Sequence, residues 1–130
     1  MLFVNLPVTD LAAARSFYTA LGFGLHEFFS DESTAALTVT EDIAVLLHTR
    51  ERFAELVPGE VGHPAAATAV VLRLTAETRE EVDQLVAKAL DAGGRPFRPA
   101  QDGESTCTGS FTDPDGNAWE ISWLDQLHTI

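Results

Sequence analysis

Few side chains in this sequence combine reactive chemistry with a setting that would aim them at a ligand, and Glu120 is the foremost. It stands in the run Ala118-Trp119-Glu120-Ile121-Ser122. Strand alternation would put Ala118, Glu120 and Ser122 on one face and Trp119, Ile121 and Trp123 on the other, toward helices. A carboxylate among apolar neighbours has its neutral form favoured by desolvation, which suits a general base or an anchor for a ligand's donor. A hydrogen bond to Ser122 or to the backbone is the equal alternative, because an unpaired buried carboxylate is costly.

His48 ends a second strand-like run and is the best partner for relaying a proton near neutral pH. Its simpler reading is a strand-end histidine turned to solvent, since a one-residue slip reverses its face. Arg73, in an otherwise apolar run, has the fork geometry of a carboxylate or phosphate clamp. A salt bridge to one of the many acids is the simpler reading. Glu120 and His48 are therefore the catalytic candidates. Cys107, among Ser105, Thr106, Thr108 and Ser110, has no visible base and reads as a plain strand thiol. His26, His63 and His128 fall in loop-like or tail segments without ligand spacing. The chain has no Gly-rich phosphate loop, paired-cysteine motif or serine nucleophile elbow.

The elements that must position these groups follow one plan twice. Val4, Leu6 and Val8 alternate as one face of a strand; Asp10 can cap a helix carrying Ala14, Phe17, Tyr18 and Leu21, and Gly22 is suited to stop it. Strands are expected over Phe23 to Phe29, Thr34 to Thr40 and Ile43 to His48. Thr49 to Ala66, with Pro58, Gly59, Gly62 and Pro64, reads as a connector with a short helical turn over Arg52 to Val57. The plan then repeats. Val70, Leu72 and Leu74 form a strand face, Thr78 with Glu81 forms a capping box, and the next helix carries Val82, Leu85, Val86, Ala89 and Leu90 up to Gly93. Strands follow over Arg95 to Arg98, Ser105 to Thr112 and Asn117 to Leu124, the last two joined at Asp113-Pro114-Asp115-Gly116. Val4 and Val70 lie 66 positions apart, and Leu46 and Glu120 lie 74 apart, so the repeat is one of pattern with insertions. The expectation is an α+β fold of two βαβββ modules, residues 1–48 and 67–130, forming one domain with a curved mixed sheet around a central cavity.

Composition narrows the partners. Twenty acidic residues against 8 basic ones give a formal charge of -12, with the basic residues scattered, which argues against nucleic acid. The apolar start has no basic leader and breaks at Thr9-Asp10, unlike a secretion signal or a membrane span. A single cysteine excludes an intrachain disulfide, and a cytoplasmic location is expected.

Phe3-Val4-Asn5-Leu6-Pro7-Val8-Thr9-Asp10-Leu11, Phe17-Tyr18 and Leu21-Gly22-Phe23, followed by Asp113-Pro114-Asp115-Gly116-Asn117 and Trp119-Glu120, together resemble the vicinal oxygen chelate superfamily. That group holds glyoxalases, extradiol dioxygenases, fosfomycin-resistance enzymes and bleomycin-binding proteins, and the likeness is strongest to bacterial lactoylglutathione lyase-like proteins. In metal-dependent members, four side chains drawn from His, Glu and Gln point into the cavity. The resemblance places those positions at Phe3, Leu46 (Leu47 in a shifted register), Ala69 and Glu120, and with strand alternation it implies a ligand-lining face of Phe3, Asn5, Leu46 and His48 from the first half of the chain and Ala69, Val71, Arg73, Glu120 and Ser122 from the second. Phenylalanine, leucine and alanine have no lone pair, so the resemblance implies a member without the family metal and with no other cofactor. It also implies a homodimer. Three functions follow as expectations: a binder of a small, partly apolar or aromatic molecule; a lyase or isomerase using Glu120 with His48; and a partner domain whose cavity is filled by its own side chains.

Overall fold

A computed structural model describes residues 1–125. The chain divides into two compact units, Met1–His63 and Pro64 onward, with the boundary inside the expected connector. Each unit is α+β, with one four-stranded mixed sheet and helical segments.

In the first unit, β1 (Leu2–Val8) leads into α1 (Leu11–Ala20), β2 (Gly24–Leu25), β3 (Thr34–Thr40), β4 (Ile43–Thr49) and α2 (Arg50–Ala54). The sheet order is β1-β4-β3-β2, with β1 parallel to β4 and the other pairs antiparallel. Asp10 caps α1 by accepting from the Ala13 amide at 3.1 Å. The helix buries Ala14, Phe17 and Tyr18 at the spacing of one face. Phe17 meets Tyr18 edge-on at 5.0 Å, and Tyr18 stacks on Phe23 at 5.7 Å.

The second unit repeats the order with β5 (Val71–Thr75), α3 (Arg79–Asp91), β6 (Gln101–Asp102), β7 (Thr106–Thr112) and β8 (Ala118–Leu124), in sheet order β5-β8-β7-β6. Thr78 caps α3 through the Glu81 amide at 3.1 Å, and the Glu81 carboxylate reaches back to the Glu77 amide at 2.9 Å. The helix lies on β7 where a glycine lets it approach. A Cβ on Gly109 would stand 2.7 Å from Val86 Cγ2 and 3.2 Å from Val82 Cγ1. Trp119 and Ile121 are buried, and the Arg79 guanidinium at the start of α3 lies 4.6 Å above the Trp123 ring, so this row of β8 does face the helix. The β7–β8 turn is built on the buried Asp113, which accepts from the amides of Asp115 and Asn117 and from the Asn117 side chain.

Three expected elements differ. The strand expected over Phe23 to Phe29 is only Gly24–Leu25, followed by a 3-10 turn at Glu27–Phe29. There the Ser30 hydroxyl donates to the His26 carbonyl and accepts from the Ala36 amide, so a side chain takes bonds a ladder would have used. The strand expected over Arg95 to Arg98 reduces to a single bridge between Arg95 and Thr112, because Pro96 and Pro99 bring no amide hydrogen. The short helix after β4 spans Arg50–Ala54, earlier than Arg52 to Val57, because Thr49 caps it through the Arg52 amide. No helix among the described residues is long and apolar enough to cross a membrane.

Candidate functional site

The β1–β4 ladder pairs Phe3 with Ala44, Asn5 with Leu46 and Pro7 with His48. The β3–β4 ladder adds Thr34 beside His48, Ala36 beside Leu46 and Thr38 beside Ala44. One face of the first sheet is therefore a band of small and apolar side chains that ends in a histidine. It floors a cavity of about 700 Å³ lined by Phe3, Phe29, Ala36, Ala44, Leu46 and His48, with Asp31, Thr34 and Arg52 among the polar groups. Its size falls within the usual range for small-molecule sites.

His48 is turned inward, not to solvent: it is 4% exposed. Its Nε2 lies 2.7 Å from Asn5 Oδ1 and its Nδ1 lies 2.8 Å from the Thr34 hydroxyl. With an amide oxygen as the Nε2 partner, Nε2 carries the proton and Nδ1 accepts from Thr34. Burial lowers the imidazole's pKa, the positive charge of Arg52 lowers it further, and Asp31 opposes them, so the neutral ring is favoured. Asp31 is itself held low by its bond from the Ser33 amide and by the Ser33 hydroxyl, and it pins the start of β3.

In the second unit, Arg73 pairs with Glu120 across β5–β8, and Ser110 pairs with Glu120 across β7–β8. Glu120 is 7% exposed and is the meeting point of two guanidinium groups. Arg73 Nε and Nη2 donate to Oε2 at 3.2 and 3.0 Å, and Arg98 Nη2 donates to Oε1. Burial pushes the Glu120 pKa up, but the bonds and charges of Arg73 and Arg98 outweigh it and leave the carboxyl below the ordinary glutamate value. The expectation that desolvation would favour its neutral form is thus reversed. Neither alternative partner is used either: Ser122, 2% exposed, lies 3.3 Å from the Thr108 hydroxyl.

Of the remaining expected residues, Phe3, Asn5 and Leu46 share the face of His48 in the first unit. Val71 begins β5, but Ala69 lies outside any strand and is exposed, so it has no ladder position from which to line a site. The offset between halves also needs correction. The caps Asp10 and Thr78 are 68 positions apart, and the two ladders make Arg73, not a neighbour, the counterpart of Asn5. Cys107 is buried, with its pKa raised to about 11 by burial and by Asp102, which suits a structural thiol. His26 and Phe29 are in ring contact at 4.8 Å; His128 lies outside the described residues.

Arg98 was missed by sequence reasoning. It closes the strand expected over Arg95 to Arg98, in Pro96-Phe97-Arg98-Pro99, where the prolines leave only a single bridge at Arg95. What aims it is one residue of β7: the Ser110 hydroxyl accepts from the Arg98 amide and donates to its carbonyl, both at 3.1 Å, which fixes that arginine beside Glu120.

The residues present do not fit a divalent cation at the inherited positions. Phe3 and Leu46 offer no donor, and both Glu120 oxygens already accept from guanidinium groups whose charge would repel a metal. Among the described residues no group of three or more His, Cys, Asp or Glu side chains could hold one.

Comparisons with known proteins agree on the fold. The family model described as Glyoxalase/Bleomycin resistance protein/Dioxygenase superfamily matches residues 1–121. A hypothetical protein from S. aureus is 28% identical with a TM-score of 0.80, over 95% of this chain and 91% of that one. A glyoxalase-related enzyme from Fulvimarina pelagi is 23% identical at a TM-score of 0.80, over 95% and 86%. A glyoxalase/bleomycin resistance protein/dioxygenase family enzyme from Burkholderia phytofirmans PsJN is 21% identical at 0.77, over 94% and 96%. No curated protein matches the sequence. With a family model spanning nearly the whole chain, this protein belongs to the glyoxalase/bleomycin resistance protein/dioxygenase superfamily.

Proposed function

We propose that the protein binds a small molecule with an apolar or aromatic body on the Leu46 face of its first sheet, and does so without the metal of its family. The observation that carries this reading is the cavity of about 700 Å³ floored by Phe3, Ala36, Ala44 and Leu46. Such a floor removes apolar ligand surface from water, while Thr34, Arg52 and Asp31 at the same cavity can orient a polar end.

The competing reading is a lyase or isomerase that uses Glu120 with His48. It is supported by the neutral imidazole, which has the protonation state of a base. Weighing against it, both ring nitrogens of His48 are already hydrogen-bonded and both Glu120 oxygens accept from arginines, so each group is engaged at rest.

The test is a thermal-shift and calorimetric screen of uncharged aromatic compounds against the parent and Ala44→Phe, which fills the floor. Mass spectrometry of the natively purified protein accompanies it. Aromatic compounds should raise the melting temperature of the parent and not that of the variant. Stabilisation by small hydrophilic acids or sugars alone would overturn the reading, and a stoichiometric co-purified metal would restore the metal-dependent lyase.

A further inference from the structure

The second sheet carries an arrangement that charge neutralisation alone does not explain. One guanidinium suffices to neutralise the buried Glu120, yet Arg73 and Arg98 both reach it from different segments. The cluster therefore holds a net charge of +1 in a protein of formal charge -12, and uses two of its 8 basic residues. Each guanidinium has five N–H donors. Arg73 commits two and Arg98 one to the carboxylate. Their side chains remain 57% and 42% exposed, so the other donors face solvent-accessible space. Both forks are also braced. Arg73 stands on β5 directly opposite Glu120 in the ladder, and the Arg98 backbone is clamped at its amide and carbonyl by Ser110 of β7.

We propose that Arg73 and Arg98, held in place by Glu120, form a binding site for an oxyanion, a carboxylate or phosphate group carried by a small molecule. A guanidinium fork matches the paired oxygens of such groups, and a carboxylate behind it fixes the rotamers that a free arginine would otherwise lose entropy to adopt. The charge that a bound metal would bring to this position is instead supplied by the chain, so the site takes an anion directly. The proposal does not depend on what the cavity of the first unit takes.

The experiment titrates the intact protein with inorganic phosphate in one arm and acetate in the other, at ionic strength fixed with chloride, and follows the arginine Nε–H resonances and the heat of binding. One or both anions should shift the Arg73 and Arg98 resonances saturably, and the arm that binds more tightly identifies the oxyanion. Arg98→Gln leaves Glu120 paired with Arg73 and should weaken binding by about tenfold or more, the loss expected for a charge-assisted hydrogen bond. Saturable shifts confined to other residues, no saturation by either anion, or unchanged affinity in Arg98→Gln would each overturn the assignment. Because the resonances are read in the unsubstituted protein, poor folding of the variant does not shelter the proposal.

Discussion

Replacing Glu120 with alanine removes one carboxylate but strips the counter-charge from two arginines, and the size of the effect follows from how wet those arginines are. Breaking a fully buried ion pair costs about 3–5 kcal/mol, and an exposed one about 0–1 kcal/mol. Here the carboxylate is 7% exposed while the guanidinium-bearing side chains are 57% and 42% exposed, so they regain much of their hydration when the partner goes. Glu120→Ala should therefore cost about 1–3 kcal/mol, which in a domain of this size lowers the melting temperature by about 4–12 °C. The pH dependence carries the signature of the pairing. Glu120 is held below the ordinary glutamate value of about 4.5, so its contribution is present above that value and is lost progressively as pH falls below it toward the lower folded-state value. Urea unfolding at pH 7, 5 and 4 should show a parent–variant gap that is full at the first two and shrinks at the third. Added phosphate should restore part of the loss in Glu120→Ala, since it offers the two arginines a substitute anion. A gap under 1 °C at neutral pH, or one that does not narrow on acidification, would refute the pairing as the source of stability.

The imidazole of His48 is held below its ordinary value by burial and by Arg52, so the native state resists protonation more than the unfolded chain does. Stability should be complete above pH 6.5 and fall as pH drops below it, and chemical unfolding of His48→Gln should lack that limb. Gly109→Ala would drive a Cβ to 2.7 Å from Val86, a branched side chain with little freedom to move, at a cost of about 1–3 kcal/mol; the double substitution with Val86→Ala should recover part of it in the same denaturation assay. A specific metal at 100 times its dissociation constant would add about 2.7 kcal/mol, so melting scans with Zn²⁺, Ni²⁺ or Mn²⁺ against EDTA should coincide within about a degree. Light scattering at micromolar concentration should give twice the 14.0 kDa chain mass, because each sheet ends in strands whose outer edges need covering, and the mass of one chain would count against this.

What was legible in the sequence was whatever local chemistry dictates. Asp10 and Thr78 announce their helices because a side-chain oxygen must satisfy amides that the first turn leaves open. Thr34 to Thr40 and Asp113 to Gly116 are readable for the same reason, as alternation and turn residues act within a few positions. Register was less legible. The distance between halves, set by apolar pattern alone, missed the ladder by two positions, which left Ala69 in place of a strand residue while preserving the face of Arg73. The turn of His48 stood open between cavity and solvent because it is decided by Asn5, 43 residues away, and by Thr34 across the ladder. Arg98 was out of reach: the strand expected over Arg95 to Arg98 is broken by two prolines, and the Ser110 clamp, not a ladder, aims the arginine at Glu120.

The two sheets carry the same topology and different surfaces, and the difference follows from what occupies equivalent ladder positions. Where the first unit has Asn5 beside Leu46, the second has Arg73 beside Glu120. Where the first ends β4 with a buried neutral His48, the second has the small Ser122. An amide and an alkyl group leave a face that can remove apolar surface from water, and a guanidinium and a carboxylate leave one that can exchange hydrogen bonds with ions. In a metal-dependent relative a positive charge at such a face would come from the ion, held by several lone pairs. Here Glu120 is paired with two arginines, which bring more positive charge than the carboxylate needs. A carboxylate so held cannot readily accept a proton, because protonation would unpair both guanidinium groups at once. The same ladder topology thus carries a different charge pattern in each unit, and the arginine pairing of Glu120 disfavours its acting as a base.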